Sequence, residues 1–392
     1  MEKKLFSIAI VSYNQRDLIE DCIDSILEQT YENIELIVCD DCSYDFNIEE
    51  VKAYIEKNKK QNISNVIVYK QKKNVGTSAN CQKAMELANG DYFKLQAGDD
   101  MLYEAETLEK IAKLFDKNPY NVIIGRAQAC THEGQKVEAY YPPYDNFLRA
   151  QVATSYELFE MMSTRPWGAF VCAPAVFWRL SFLKKFGGFD LSYKYTEDWP
   201  LWLKICSEGY DITYIDQITT IYRYGGISNG AGELNQALGK AHYQECIRML
   251  KEQGMPELKK KHSKLAQLRC WCSIKCIEAR MTKEYEWNYW RLRRKIGWRI
   301  KNINFLILVK LFHVRNLGIY FDKKRTVLFV ILFACVAYWN QIFYHETKGM
   351  YLFALLFFLS GISLLGKIII YALFQVMQTM GNFRLKRKIK LF

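Results

Sequence analysis

The first 124 residues alternate between short apolar runs and segments of helical periodicity, and this alternation constrains the fold more than any other feature. Residues 5–11 and 34–39 are apolar runs of strand length, and apolar side chains recur at helical spacing between them, over residues 18–27. Further strands are predicted at 66–69, 92–95 and 122–124, and helices at 78–88 and 105–115. The pattern predicts an α/β fold with a doubly wound sheet, whose ligands bind beyond the carboxyl ends of the strands.

Charge divides the chain into two unequal parts. Residues 1–240 carry a net charge of −8 and residues 241–392 a net charge of +20, which together give the overall +12. The second part is also rich in tryptophan and apolar residues, so we expect it to meet an anionic surface, either a bilayer or a phosphate-bearing lipid. Nucleic acid is the alternative partner.

The twelve cysteines are scattered and no signal peptide follows Met1, so the first part is expected in a reducing cytosol.

Acidic side chains occur at three places that the predicted fold brings together. Residues 40–41 and 99–100 each follow a strand, and residues 197–198 open a helix. A bound cation can neutralise a diphosphate leaving group, and a carboxylate can accept the proton of an attacking hydroxyl. The order of these signatures indicates an enzyme that uses a nucleotide-sugar and a divalent metal. The glycine motif of dinucleotide-binding folds does not follow the first strand, and no P-loop motif occurs.

Four segments together resemble the family 2 glycosyltransferases of the GT-A fold. They are residues 7–14 (SIAIVSYN), 25–30 (SILEQT), 35–43 (ELIVCDDCS) and 74–76 (NVG), and the similarity covers roughly residues 5–225. The resemblance implies that the nucleotide base and ribose bind at the ends of the first strands, with Asp41 the expected contact to a uracil ring. The residues implied in this nucleotide site are Ser12, Tyr13, Asn14, Asp40, Asp41, Asn74 and Gly76.

The segment Gly98-Asp99-Asp100 resembles the metal motif of the family, which is written Asp-x-Asp. Ala97 stands where the first aspartate of that motif is expected, so the motif is incomplete. The resemblance implies that Asp99 contacts a Mn²⁺ or Mg²⁺ ion and the bound donor. Asp100 either helps to bind the metal or caps the following helix.

The segment Thr196-Glu197-Asp198-Trp199 resembles the family's catalytic motif. The resemblance implies that Asp198 is the base that deprotonates the acceptor hydroxyl, in a single displacement that inverts the anomeric configuration. Glu197 would orient the site. The alternative is that both carboxylates only favour the dipole at a helix amino terminus.

Two residues flank this region in segments that resemble the family's acceptor side and its last sheet strand. Trp167 is expected to pack on a sugar face, and Arg223 to meet the diphosphate, although a surface arginine would read the same. The signature and multiple membrane helices of processive family members are absent, so a single sugar addition is expected. A uridine nucleotide is the expected donor.

The basic second part is predicted to associate with a membrane. Residues 241–322 read as Trp-rich interfacial helices, with a helical cap on a catalytic domain 1–240 as the alternative. Residues 326–344 and 350–377 are long enough to cross a bilayer, and basic residues at both outer ends of the region 323–392 predict a hairpin with both ends cytoplasmic. Asn340, Gln341 and Lys367 leave a re-entrant hairpin open.

The combined expectation is an inverting, metal-dependent glycosyltransferase at the cell membrane, whose catalytic domain faces the cytoplasm. It would move a sugar from a UDP-sugar to a saccharide hydroxyl, on a polyprenyl-linked acceptor in envelope or capsular polysaccharide assembly. Three alternatives stay open: transfer directly onto polyprenyl phosphate, a membrane-tethered nucleotide-sugar-binding module without activity, and a nucleic-acid binder.

Overall fold

The computed structural model describes residues 3–165, 169–224 and 233–280, all within one compact unit. Trp167, the interfacial helices predicted beyond residue 280 and the hairpin predicted at 326–377 lie outside the described residues. Among the helices that are described, none has both the length and the apolar character needed to cross a membrane.

Strands and helices alternate through the first part of the chain, as predicted. The elements to residue 117 are β1 (Phe6–Ser12), α1 (Ile19–Leu27), β2 (Ile34–Asp40), α2 (Ile48–Asn58), β3 (Ile63–Lys70), α3 (Thr77–Leu87), β4 (Tyr92–Ala97), β5 (Met101–Leu102) and α4 (Thr107–Lys117). The following elements are β6 (Val122–Cys130), β7 (Lys136–Tyr141), α5 (Tyr144–Gln151), α6 (Ser155–Thr164), β8 (Val176–Arg179), α7 (Leu180–Lys185), α8 (Asp198–Ser207), β9 (Thr213–Arg223), α9 (Glu233–Met249), α10 (Met255–Lys260) and α11 (Lys264–Arg280).

The strands form one sheet in the order β3-β2-β1-β4-β8-β6-β9-β5, with β7 paired to β6 beside this path. Strands β1 to β4 are parallel, whereas β5, β7 and β8 pair antiparallel with their neighbours. The chain order reverses at β1, because β2 and β3 lie on one side of it and β4 on the other. This is the topological switch point at which doubly wound sheets bind ligands. The predicted α/β class is confirmed, with a mixed sheet beyond β4.

Apolar layers cover both faces of the sheet. Ile8 and Ile10 of β1 belong to the layer that contains α1, α2 and α4. Ala9 belongs to the opposite layer, with α3, α6 and α8, because successive side chains of a strand point to opposite faces. Each fully buried isoleucine contributes about 1.5–3 kcal/mol relative to exposure. The sheet is therefore a rigid platform for the loops at its carboxyl edge.

Helices after residue 240 pack on the same core. Helix α9 runs across residue 240 without a break. Its residues Cys246 and Met249, Leu258 of α10 and Cys270 of α11 are all buried in the layer that contains α3 and α8. For residues 241–280 the structure therefore favours the alternative of a helical cap. The assignment of later residues to an interfacial region and a hairpin stays a prediction.

A buried carboxylate joins the amino-terminal ends of the strands, at the edge opposite the predicted site. Glu35 accepts hydrogen bonds from the Ser7 hydroxyl at 2.6 Å, the Asn65 amide at 3.1 Å, and both the backbone and side-chain amides of Asn89 at 2.9 Å. Burial alone would raise the pKa of Glu35, but the donors outweigh it and lower the pKa below 4.5. The charged form is thus stabilised by the fold.

We expect Glu35→Gln to lower the free energy of unfolding by about 1–3 kcal/mol, because one accepting oxygen becomes a donor that faces other donors. A lowered pKa in the folded state means that the carboxylate stabilises the fold above pH 4.5 and loses this effect as pH falls. The gap between wild type and variant in urea denaturation should therefore shrink below that pH. An equal gap at pH 7 and pH 3 would contradict this role.

Candidate active site

Three loops meet at the switch point of the sheet. Val11 near the end of β1 pairs with both Cys39 of β2 and Ala97 of β4. Backbone hydrogen bonds continue past the strands, from the Asp41 amide to the Ser12 carbonyl and from the Gly98 amide to the Val11 carbonyl, each at 2.9 Å. The predicted nucleotide loop and the predicted metal motif therefore lie next to each other, as the sequence pattern predicted.

Asp40 stabilises the loop that follows β1 through hydrogen bonds. Its carboxylate is fully buried and accepts hydrogen bonds from the Ser12 hydroxyl at 3.1 Å, from the Ser43 amide at 2.7 Å and from the Ser43 hydroxyl. The same Ser43 hydroxyl accepts the Asn14 amide at 2.8 Å. Of the predicted residues in this loop, Tyr13 and Asn14 are the exposed ones. Direct contact of Asp40 with a nucleotide is not supported by this burial; its visible role is to hold the loop.

Asp41 connects the end of β2 to the loop before α3. Its two carboxylate oxygens accept the amides of Val75 at 2.7 Å and Gly76 at 2.9 Å, and the Asn74 side chain donates to its carbonyl at 3.5 Å. Burial raises the pKa of Asp41, and the two amides oppose this shift. Gly76 has a φ of +91°, and a Cβ there would lie 2.3 Å from Lys194 Cγ. Asp41 thus organises this loop, and its contact with a uracil ring stays a prediction.

The carboxylates of Asp99 and Asp100 are crowded together after β4. Burial raises the pKa of both, and for Asp100 the charge of Asp99 adds to the effect. One oxygen of Asp100 accepts the Arg223 amide at 2.9 Å, while the other has no hydrogen-bond partner within the described part of the chain. The alternative role of Asp100, capping a helix, is wrong, because β5 follows it directly and α4 begins only at Thr107.

This pair fits a divalent cation. Two repelling carboxylates, one with a buried oxygen that lacks a partner, would be stabilised by a bound cation. Within residues 3–165, 169–224 and 233–280 no group of three or more His, Cys, Asp and Glu side chains could hold a metal ion. Mg²⁺ commonly binds through one or two carboxylates together with substrate phosphates, so two carboxylates are sufficient.

Arg223 is buried beside the pair and hydrogen-bonded within the fold. Its side chain is 3% exposed and donates to the His132 carbonyl at 3.0 Å and to Asp21 of α1 at 2.8 Å. In this arrangement Arg223 ties the end of β9 to Asp100 and to α1. Contact of its guanidinium with a diphosphate stays a prediction that the observed hydrogen bonds do not support.

Asp198 is the first residue of α8, as predicted. Its carboxylate accepts a hydrogen bond from the Trp202 indole at 3.3 Å, and Trp202 stacks on Trp178 with ring centroids 4.8 Å apart. Trp178 is therefore a core residue that fixes the orientation of the carboxylate through Trp202. Burial raises the pKa of Asp198, although the Trp202 hydrogen bond opposes this. Burial and the charge of Asp198 raise the pKa of Glu197 to about 8.

Two buried cysteines lie close enough to these groups to be affected by their charges. The pKa of Cys81 is raised by burial and then by nearby carboxylates, those of Glu197, Asp198 and Asp41 among them. Burial raises the pKa of Cys172 to about 12, and the charges of Asp100 and Asp198 both contribute. Each thiol thus lies within electrostatic reach of two of the three acidic signatures.

Residues 7–185 match the family model described as Glycosyl transferase family 2. This part of the chain belongs to that family. The chain is 30% identical over 204 residues to an uncharacterized glycosyltransferase of Rickettsia typhi, covering 51% of this chain and 58% of that relative. It is 25% identical over 251 residues to the Escherichia coli protein WfaP, named a UDP-Glc:alpha-D-GlcNAc-diphosphoundecaprenol beta-1,3-glucosyltransferase, covering 62% of this chain and 87% of WfaP.

A solved structure is also similar to this chain. It is the mannosyltransferase PcManGT from Pyrobaculum calidifontis in complex with GDP-Man and Mn²⁺, at 15% identity and a TM-score of 0.49. The match covers 81% of this chain and 88% of PcManGT.

The sequence analysis did not identify several residues that lie close to the candidate site. Lys94 in β4 is fully buried, and its amine lies 4.6 Å from the centre of the Phe177 ring and donates to the Pro174 carbonyl. Burial lowers the pKa of Lys94 to about 8, while the charge of Asp100 opposes the shift. A lysine in the middle of an apolar strand was the available signal. Glu245 and His242 of α9 were missed because the charge pattern assigned them to another domain.

We expect Glu197→Gln to change how the stability of the protein depends on pH. With a pKa raised from 4.5 to about 8, the folded chain holds a proton that the unfolded chain releases, so wild-type stability falls as pH rises through this range. Glutamine mimics the protonated form and removes this term. In urea denaturation without metal or nucleotide, the free energy of unfolding of the variant should increase relative to that of wild type from pH 5 to pH 8. A constant difference would rule out the raised pKa.

Proposed function

We propose that the chain is an inverting glycosyltransferase that moves one sugar from a nucleotide-sugar to a saccharide hydroxyl. The observation that supports this proposal is the proximity of three acidic signatures near the carboxyl ends of the strands, around the switch point of the sheet. Asp41 lies on the donor side, Asp99 and Asp100 beside β4, and Asp198 at the start of α8. The match of residues 7–185 to the family supports the reaction class.

Asp198 has the position and environment of a general base. It accepts the proton of the acceptor hydroxyl while the oxygen bonds to the anomeric carbon, and the bond from that carbon to the diphosphate breaks. Attack opposite the leaving group inverts the configuration. The Trp202 indole and the Trp199 amide hold the carboxylate in position. Proton transfer to a positioned base contributes about 10² to 10⁴ in rate.

Asp99 and Asp100 would hold a divalent metal, Mn²⁺ or Mg²⁺. When bound there, such an ion supplies positive charge to the diphosphate of the donor. The chain itself keeps Asp100 in place through the Arg223 amide, and Lys94 lies buried within electrostatic reach of Asp100. Glu197, protonated over most of the physiological range because its pKa is raised to about 8, leaves the negative charge to Asp198.

The proposed donor is a UDP-sugar and the proposed acceptor a polyprenyl diphosphate saccharide at the cytoplasmic face of the membrane. The name of the relative WfaP, which specifies UDP-Glc and a diphosphoundecaprenol saccharide, supports both. The apolar and basic sequence of residues 323–392 supports a location at the membrane. Assembly of an envelope or capsular polysaccharide is the process that would use such a product.

The test is a panel of nucleotide-sugars, each incubated with the full chain, Mn²⁺ or Mg²⁺, and a membrane extract as the source of acceptor. We expect one donor to release nucleoside diphosphate in a metal-dependent reaction, with radiolabelled sugar appearing on extractable lipid. Release without label on lipid would reject the lipid-linked acceptor. No release from any donor would reject the transferase and favour a nucleotide-sugar-binding module.

We expect Asp198→Asn to lower kcat by about 10² to 10⁴, because the amide cannot accept the proton but keeps the shape of the side chain. Binding of the nucleoside diphosphate with metal, measured by calorimetry, should stay within about twofold of wild type. Glu35→Gln is the control, since it lies at the opposite edge of the sheet and should keep kcat while the protein is folded. Near-normal transfer by Asp198→Asn would show that another group is the base.

We expect Asp99→Asn to weaken metal-dependent binding of the nucleoside diphosphate by at least about tenfold, because it removes one of two charges on the ion. Calorimetric titration with and without Mn²⁺ separates this effect from direct contact with the nucleotide. If Mn²⁺ strengthens the binding of nucleoside diphosphate equally in the variant and in wild type, the metal is not bound at Asp99.

A further inference from the structure

Helix α9 contacts residues 194–196, the segment that leads into the proposed base Asp198. The Glu245 carboxylate accepts two adjacent amides of this segment, Lys194 at 2.6 Å and Tyr195 at 2.9 Å, one on each oxygen. A carboxylate that accepts two neighbouring amides fixes both the position and the direction of the chain. Asp198 follows three residues after Tyr195.

A second side chain of α9 holds the next residue of the segment. Thr196 is buried, and its hydroxyl shares a hydrogen bond of 2.9 Å with His242 Nδ1. The other ring nitrogen of His242 contacts the Cys246 sulfur at 3.5 Å. Burial lowers the pKa of His242, although the charges of Asp198 and Glu245 oppose the shift. The imidazole is therefore neutral at pH 7, and it sits within electrostatic reach of Asp198.

Helix α9 is itself packed into the hydrophobic core. Cys246, Ile247 and Met249 of α9 are buried in the core layer shared with α3 and α8. The Arg248 guanidinium lies 4.2 Å from the centre of the Tyr193 ring. Two turns of α9, residues 242–248, thus contact four consecutive residues, 193–196.

The opposite side of the segment rests on the donor loop. The Lys194 carbonyl accepts the Ser78 amide at 3.2 Å, and the Lys194 side chain covers Gly76 so closely that no Cβ would fit there. Gly76 in turn is held by Asp41. The segment is therefore clamped between α3 and α9, and removal of the α9 contacts would leave it supported on one side only.

We propose that Glu245 and His242 are positioning residues, which set the angle and depth at which Asp198 meets the acceptor hydroxyl. This inference rests on the proposed function of Asp198 as a base. Neither residue touches the reacting atoms. A displacement of about 1 Å at a reacting group can cost about 10² in rate, so loss of the clamp should affect turnover more than donor binding.

The first test reads the clamp without any reaction. Hydrogen exchange of the full chain, followed by mass spectrometry of peptides that cover residues 190–198, reports the amides of Lys194 and Tyr195. We expect faster exchange in Glu245→Ala than in wild type, because both amides lose their acceptor. Gln244→Ala is the matched control, since Gln244 is exposed on the same helix and should leave this exchange unchanged. Unchanged exchange in Glu245→Ala would reject the clamp.

The second test measures kcat, KM and binding of nucleoside diphosphate. We expect Glu245→Ala and His242→Ala to lower kcat by about 10- to 100-fold while diphosphate binding stays within about threefold of wild type. A paired rescue distinguishes positioning from general damage. His242→Asn places an amide near the Nδ1 position and should restore much of kcat, whereas His242→Gln places it near Nε2 and should not.

The two proposals can fail separately. Faster exchange in Glu245→Ala with wild-type kcat would overturn the positioning role while leaving the transferase intact. Equal kcat in His242→Asn and His242→Gln would overturn the specific bond to Thr196. If the wild-type chain transfers no sugar from any donor, the proposed function fails, and the exchange experiment still decides whether α9 clamps the segment.

Discussion

The parallel pairing of β1 with both β2 and β4 is the constraint on which the site depends. Because Val11 lies level with Cys39 and Ala97, the residues that follow these strands emerge at one edge of the sheet. The side chains of β1 are buried alternately in two different layers, so a shift of one residue in register would place Ile8 and Ile10 in the layer that accommodates Ala9. The position of the acidic loops is therefore secured by the same burial that stabilises the core.

Bringing carboxylates together at this edge is unfavourable, and the surrounding structure offsets the cost unevenly. Asp40 and Asp41 are surrounded by backbone amides and hydroxyls, which satisfy their oxygens within the fold. Burial raises the pKa of Asp41 in spite of these bonds, and it also raises the pKa of Asp99, Asp100, Glu197 and Asp198. One buried oxygen of Asp100 has no hydrogen-bond partner among the described residues. Asp40 and Asp41 thus stabilise the loops. At the other four carboxylates the ionised form is unfavourable, and a bound cation or proton would stabilise them.

The strand ends and the start of α8 could be predicted because they depend on local patterns, namely apolar runs and the residues that follow them. The direction of individual side chains could not. Asp40 turns inward because Ser43 offers two donors, and Arg223 turns inward because Asp21, 202 residues away in sequence, accepts its guanidinium. Likewise, charge composition separated residues beyond 240 from the catalytic domain, whereas burial of α9 depends on a core that only the folded chain creates.

Lys194 connects the loop before α3 to the segment that leads into Asp198, a connection that no single sequence motif indicates. Its carbonyl and side chain rest on the start of α3, its amide is held by α9, and the base follows four residues later. The loop before α3 and the segment before Asp198 are therefore in direct contact through Lys194. Gly76 is required at this contact for two reasons: its φ of +91° is strained for other residues, and a Cβ would collide with Lys194. A substitution there would disturb Asp41 and Asp198 together, although it contacts only the first.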